Sequence, residues 1–284
     1  MAKWVGWIRW FLWGLLCFCF FSHLLFPYEA LGRRILYTLE QKTGLVARPS
    51  ETGIRLFGLR WAVVELSSPR QKAFPPIEIQ NWVIQFCPLS LFVGRLSVTS
   101  HGTVMGGSFD TNLVIERNRH HGLMEWDGVR IDGVPFFLME PASFGGIARG
   151  KVQWEKTGER FDGEASFEIG EGRIINVPLA GLTLPLIDLG KIRGQMTWKG
   201  EKIDLKKISI AGGDLRAKLT GNVLFQNPFA KSRVACRLEI GLANSLLNRY
   251  PGMKGLFGHG KDRPRSLVMA IRGTVEAPQV SLAR

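Results

Sequence analysis

Residues 214–223 read Asp214-Leu-Arg-Ala-Lys-Leu-Thr-Gly-Asn-Val223, and residues 233–242 read Arg233-Val-Ala-Cys-Arg-Leu-Glu-Ile-Gly-Leu242. In the first run Leu215, Ala217, Leu219 and Val223 alternate with Asp214, Arg216, Lys218, Thr220 and Asn222. In the second, Val234, Cys236, Leu238, Ile240 and Leu242 alternate with Arg233, Arg237 and Glu239. Successive side chains on a strand point to opposite faces, so a period of two over ten residues predicts strands with one dry and one wet face. Leu215, Ala217, Leu219, Val223, Val234, Leu238 and Ile240 are accordingly the candidate residues of an apolar groove face.

The same reading extends outward. Residues 77–86 have strand composition, and glycines recur at Gly106-Gly107, Gly145-Gly146, Gly170-Glu-Gly172 and Gly212-Gly213, where hairpin turns or bulges are expected. Arg149-Gly-Lys-Val-Gln-Trp154 is echoed by Arg193-Gly-Gln-Met-Thr-Trp198, and more faintly by Ile271-Arg-Gly-Thr-Val275. This weak repeat suggests a sheet extended by similar hairpin units. Helix candidates are few: 134–143 and 179–189, both broken by proline, and 243–257. The expected fold is mainly β, a long antiparallel sheet with few short helices. Such a sheet either closes on itself as a sandwich or stays open and curved, with its dry face free to take something apolar.

The N-terminus has a different character. From Trp10 to Phe26 the only ionisable side chain is His23. Trp10, Phe11, Leu12, Leu15, Leu16, Phe18, Phe20, Phe21, Leu24 and Leu25 make the apolar body of an expected transmembrane anchor, residues 1–26, flanked by tryptophans as an interfacial belt would be. Phe26-Pro27-Tyr28-Glu29 offers no small-x-small cleavage site, which argues for retention over a cleaved signal. Residues 27–44 form a second expected helix. Tyr28, Leu31, Ile35 and Leu39 share one side and Gly44 ends it. It reads as an amphipathic juxtamembrane helix whose apolar side meets the membrane surface, with packing on its own domain as the alternative. Residues 45–284 then make the β-rich domain.

The chain has 284 residues, 45% hydrophobic and 21% charged, which excludes a mainly disordered polymer. Its net charge is +13, of which residues 145–284 carry +10. An excess of that size favours anionic partners. Dense basic arms and nucleotide loops are missing, and nucleic acid is not expected as a partner. Cys87 and Cys236 lie outside the anchor, and pairing between them stays open.

Catalytic signatures are also missing. His120 and His121 are adjacent, and on a strand they point to opposite faces, which disfavours a shared metal. Asp162, Glu164 and Glu168 read as solvated charge. The glycine-rich basic run at 252–261 reads as a loop. No enzyme activity, metal or other cofactor is expected.

Several segments together carry a resemblance: the N-terminal anchor, Phe26-Pro-Tyr-Glu-Ala-Leu31 with Leu39-Glu-Gln-Lys-Thr-Gly44, Gly53-Ile-Arg-Leu-Phe-Gly-Leu-Arg-Trp61, and Arg272-Gly-Thr-Val-Glu-Ala-Pro-Gln-Val-Ser-Leu282. With these, the chain resembles the type II secretion system protein N family and the broader AsmA-like group of anchored, β-rich periplasmic proteins. The resemblance implies a single-pass protein of the bacterial inner membrane with its C-terminal domain in the periplasm. It implies an accessory role beside other subunits of the type II secretion apparatus. The wider group implies a curved β-groove suited to the acyl chains of a phospholipid or lipopolysaccharide.

Overall fold

The computed structural model describes residues 2–25, 27–55, 57–67, 76–133, 143–179, 182–226, 231–249 and 267–282. Two helices come first, α1 (Ala2–Leu25) and α2 (Tyr28–Thr43). Gly44 ends α2 in the left-handed conformation at φ 70°, and its N–H donates to the Glu40 carbonyl, as a C-terminal glycine cap does. Strands follow: β1 (Val46–Pro49), β2 (Thr52–Arg55), β3 (Gly58–Ser67) and β4 (Ile77–Cys87), then the one-turn helix α3 (Pro88–Leu91). Next come β5 (Leu96–Val104), β6 (Gly107–Ile115), β7 (Arg119–Arg130), β8 (Ser143–Thr157), β9 (Arg160–Leu179), β10 (Leu182–Lys199), β11 (Lys202–Gly212) and β12 (Leu215–Leu224). β13 (Arg233–Leu242), the short helix α4 (Asn244–Arg249), β14 (Leu267–Thr274) and β15 (Pro278–Leu282) complete the order.

The 15 strands form one antiparallel sheet, and from β3 onward each strand pairs with the next in sequence. β1 and β2 both pair with β3, end to end along one edge. β15 forms the other edge, and no pairing among the described residues joins the two. Among the described residues the sheet is therefore open. Local turns explain the simple order. Met105 and Gly106, at φ 51° and 79°, make the two-residue link between β5 and β6, a conformation that matches the twist of the flanking strands. Gly145-Gly146 and Gly170-Glu-Gly172 lie inside β8 and β9, where the register shifts, and are bulges.

The principal core lies at the first end of the sheet. Tyr28 and Leu36 of α2 are buried with Ala47, Leu59, Trp61, Val64, Leu66 and Ile84, and Leu31, Ile35 and Leu39 pack against them. A Cβ on Gly32 would meet the Trp61 ring at 3.2 Å, so glycine lets the helix settle onto the indole. Of the two readings of α2, the apolar side is thus taken by its own domain. Burying residues of this size contributes roughly 1.5–3 kcal/mol each before entropy is set against it.

Two sequence expectations change here. Of residues 179–189, expected as a short helix, Leu179 belongs to β9 and 182–189 to β10: Leu179 pairs with Leu182, Val177 with Leu184 and Ile175 with Leu186. A short apolar run does not distinguish strand from helix by itself, and pairing between long neighbours decides it. Of 243–257, residues 244–249 are helical as α4, Ala243 precedes the helix, and 250–257 lie outside the described residues, as do nearly all of 134–143 and all of 252–261.

The expected transmembrane span falls on α1, a 24-residue helix. Among the described residues no helix is long and apolar enough to cross a membrane. Trp10, Phe11, Leu12, Leu16, Phe18, Phe20, Phe21, Leu24 and Leu25 are exposed, and the side chain of Leu15 lies outside the described residues. Cys17, Cys87 and Cys236 are free thiols.

Candidate functional site

Register assembles the candidate face residue by residue. Across β12 and β13, Leu215 pairs with Leu242, Ala217 with Ile240, Leu219 with Leu238 and Val223 with Val234. Residues paired directly across an antiparallel ladder share a face. The seven residues singled out from alternation therefore lie together on one side. All seven are half-buried, whereas Arg216, Lys218, Arg233, Arg237 and Glu239 on the opposite side are exposed.

Following the pairings in both directions carries this face across the sheet. On β11 it continues as Ile203, Leu205, Ile208 and Ile210, and on β10 as Ile192, Met196 and Trp198. On β14 and β15 it continues as Met269, Ile271, Val280 and Leu282. Toward the other end it runs through Ala165, Phe167 and Ile169 on β9, Val152 and Trp154 on β8, and Met124 and Trp126 on β7. It reaches Leu113 on β6 and Val98 on β5, and Val98 already touches the core beneath α2. From β5 to β15 the apolar face spans about 50 Å at the usual strand spacing of about 4.8 Å.

Sequence reasoning missed how this face is surfaced. Gly102 pairs with Phe109, Gly122 with Trp154, Gly150 with Trp126, Gly163 with Trp198 and Gly194 with Phe167. In each pair the ring lies over the glycine: a Cβ would come within 2.9, 2.1, 2.4, 2.4 and 2.2 Å of ring atoms, respectively. An aromatic laid flat across a strand glycine restores the packing that glycine lacks and lowers the relief of the face. The repeat contained the signal. Arg149-Gly150 and Arg193-Gly194 flank β9 in matching register, with Glu168 between the arginines and Phe167 between the glycines. Among the described buried side chains, His120 Nδ1 and Trp198 Nε1 on this face have no hydrogen-bond partner.

The opposite face is charged. His121 and His101 lie on it while His120 lies on the apolar face, so the adjacent histidines diverge as expected. Asp162, Glu164 and Glu168 share it. Glu168 accepts from Arg193 Nε at 2.7 Å, from Arg149, and from Lys191 at 3.2 Å. The Arg193 hydrogen bond, with those of Arg149 and Lys191, holds the Glu168 carboxyl down to about 2. A depression of about 570 Å³ opens beside this cluster, lined by Arg149, Lys151, Ser166, Arg193, Lys207 and Ser209 among others. Among the described residues no group of His, Cys, Asp or Glu is placed to hold a metal ion.

Asp214 ties the sheet to α4. It is buried, and it accepts from Asp188 N–H at 3.2 Å, Ser245 Oγ at 3.1 Å and Arg249 Nη1 at 3.3 Å. Leu242 and Leu246 are buried nearby in sequence. Compared with known proteins, the chain matches no family model, no curated protein and no solved structure.

Proposed function

We propose that this chain is an envelope protein whose apolar sheet face holds the acyl chains of a phospholipid or lipopolysaccharide, without enzyme chemistry or a cofactor. The observation that carries this reading is the apolar face that runs from β5 to β15, interrupted only locally by Ser100, Thr111, His120 and Lys156 and backed by a charged face. Two-faced sheets of globular domains bury the dry side under a second layer. Here α2 supplies that layer over β3 and β4, and the candidate residues on β12 and β13 remain half-buried. Large apolar surfaces of this kind mark binding sites for apolar partners.

In this reading α1 sits in the bacterial inner membrane and the sheet in the periplasm. Trp7 and Trp10 are each 80% exposed, and such a helix needs apolar cover from outside itself. Curvature of the sheet into a groove belongs to the same proposal. Native mass spectrometry of the full chain, released from mild detergent, tests it. Stoichiometric phospholipid or lipopolysaccharide that is lost in Leu219→Asp is the expected result. Equal lipid on both proteins overturns the reading, because lipid held only around α1 is indifferent to position 219.

A second reading, as an accessory subunit of the type II secretion apparatus, draws on the sequence resemblance and on β15. That strand pairs only with β14 among the described residues, and all of its residues are exposed. An open edge of this kind accepts a partner strand. Photocrosslinking from Gln279 or Ser281 in cells checks it: adducts with secretion subunits support membership, and their absence with the apparatus assembled counts against it.

A further inference from the structure

We infer that the charged face of strands β10–β14 docks on the head groups of an anionic phospholipid bilayer. The basis is an imbalance between two halves of one face. On β7–β9 Asp127 and Glu164 are in no ion pair among the described residues, and four other carboxylates are already answered: Glu125 by Lys151, Glu155 by Arg119, Asp162 by Arg160, and Glu168 by Arg149 and Arg193. On the later strands the cations are not. Lys207 on β11, Arg216 and Lys218 on β12, Arg233 and Arg237 on β13 and Arg272 on β14 are all exposed. No ion pair among the described residues uses any of them. The carboxylates on the same part of the face are Asp204, held by Lys202, and Glu239, opposite Lys218.

These cations are spread in two dimensions. Neighbouring strands are about 4.8 Å apart and alternate residues along a strand roughly 7 Å apart, so the charges form a grid. A grid with no track suits a planar anionic surface. Nucleic acid fits less well, since none of the face positions on β10–β14 is aromatic and single strands need stacking platforms. A protein partner fits less well too, because its interface would need a large apolar centre, and the apolar residues of this face on β12–β14, Leu224, Ala235, Val268 and Ala270, include no aromatic and lie among the cations. Basic residues near an anionic leaflet each contribute about 1 kcal/mol of attraction, additive over several positions and screened by salt. This inference is independent of the acyl-chain reading, which concerns the other face.

The test uses the full chain in phosphatidylcholine nanodiscs, presented with fluorescent vesicles of phosphatidylcholine alone or with phosphatidylglycerol. Capture of the phosphatidylglycerol vesicles, declining steeply from about 0.05 to about 0.5 M NaCl, is expected. The set R216E/K218E/R237E should weaken capture at least roughly tenfold. The milder set K218Q/R237Q, which keeps polar side chains on an exposed strand face, should give an intermediate loss. The set R48E/R55E/K156E makes the same change in net charge elsewhere and should bind like the parent protein. Equal loss in both charge-reversed sets would reduce the effect to net charge and overturn the assignment. Parent protein that captures both vesicle types alike, or that prefers duplex DNA or polyglutamate in competition, would overturn it as well.

Discussion

Trp154 lies flat over Gly122, its direct partner across β7 and β8, so closely that a Cβ at position 122 would stand 2.1 Å from ring atom Cζ2. Four more glycines on the same face are covered by rings in this way. The bulkiest residues of the apolar face are thus laid along it, which keeps the surface low and continuous.

Gly122→Ala and Gly150→Ala should therefore lift the indoles of Trp154 and Trp126 and destabilise the sheet by about 1–3 kcal/mol, the usual cost of overpacking. Gly170→Ala, where a Cβ meets nothing within 4 Å, serves as the control and should leave stability within roughly 0.5 kcal/mol. Urea unfolding followed by indole fluorescence measures both. Equal midpoints for Gly122→Ala and Gly170→Ala would refute the covered-glycine account.

The pair Leu219 and Leu238 sits in the middle of the candidate face. A single Leu219→Asp should abolish lipid retention while the protein keeps its strand content by circular dichroism. Lys218→Asp, one residue along and on the other face, should retain lipid. The opposite ranking would mean that the faces are assigned the wrong way round.

Glu168 gives the sheet an acid limb. Its folded carboxyl titrates at about 2, below the ordinary 4.5, because Arg193, Arg149 and Lys191 favour the ionised form. The unfolded chain binds that proton more readily, so the stabilisation is complete above the ordinary value and is lost as pH falls from about 4.5 towards 2. Thermal midpoints across that window should fall less steeply in Glu168→Gln than in the parent. Superimposable pH profiles would remove the cluster from the account of acid stability.

Asp214→Ala should detach α4. The substitution removes the buried carboxylate that accepts from the Asp188 N–H, Ser245 and Arg249, and the lost charge-assisted hydrogen bonds should cost about 1.5–3 kcal/mol. Hydrogen exchange should quicken at residues 244–249 more than in β12. Uniform acceleration along the whole sheet would show that Asp214 does not act locally.

Much of this architecture was legible in sequence because the sheet is built by local steps. Each strand pairs with the next, so the alternation in 214–223 and 233–242 directly names residues that meet. The period of Tyr28, Leu31, Ile35 and Leu39 likewise marks the buried side of α2, although the partner was not readable. Bulges hide more. In β4, Asn81 at φ 50° shifts the register, so Ile77 and Ile79 share a face with Trp82, Ile84 and Phe86 despite the change of parity. The covered glycines were hidden for another reason. A glycine in a strand reads as a turn or a weakness, and only the register reveals the aromatic beside it.

The central claim, that the apolar face holds acyl chains, is tested most directly by photocrosslinking in living cells. A benzophenone amino acid is placed singly at Leu219, Leu238 or Met196 on that face, and at Asn112, Gln153 or Ser166 on the other face, outside the β10–β14 region that is inferred to meet head groups. The protein is irradiated, purified and analysed by mass spectrometry. Covalent phospholipid or lipopolysaccharide adducts at the first three positions, and few at the second three, are the predicted result. Lipid adducts distributed equally between the two faces, or none at Leu219 and Leu238, would contradict it.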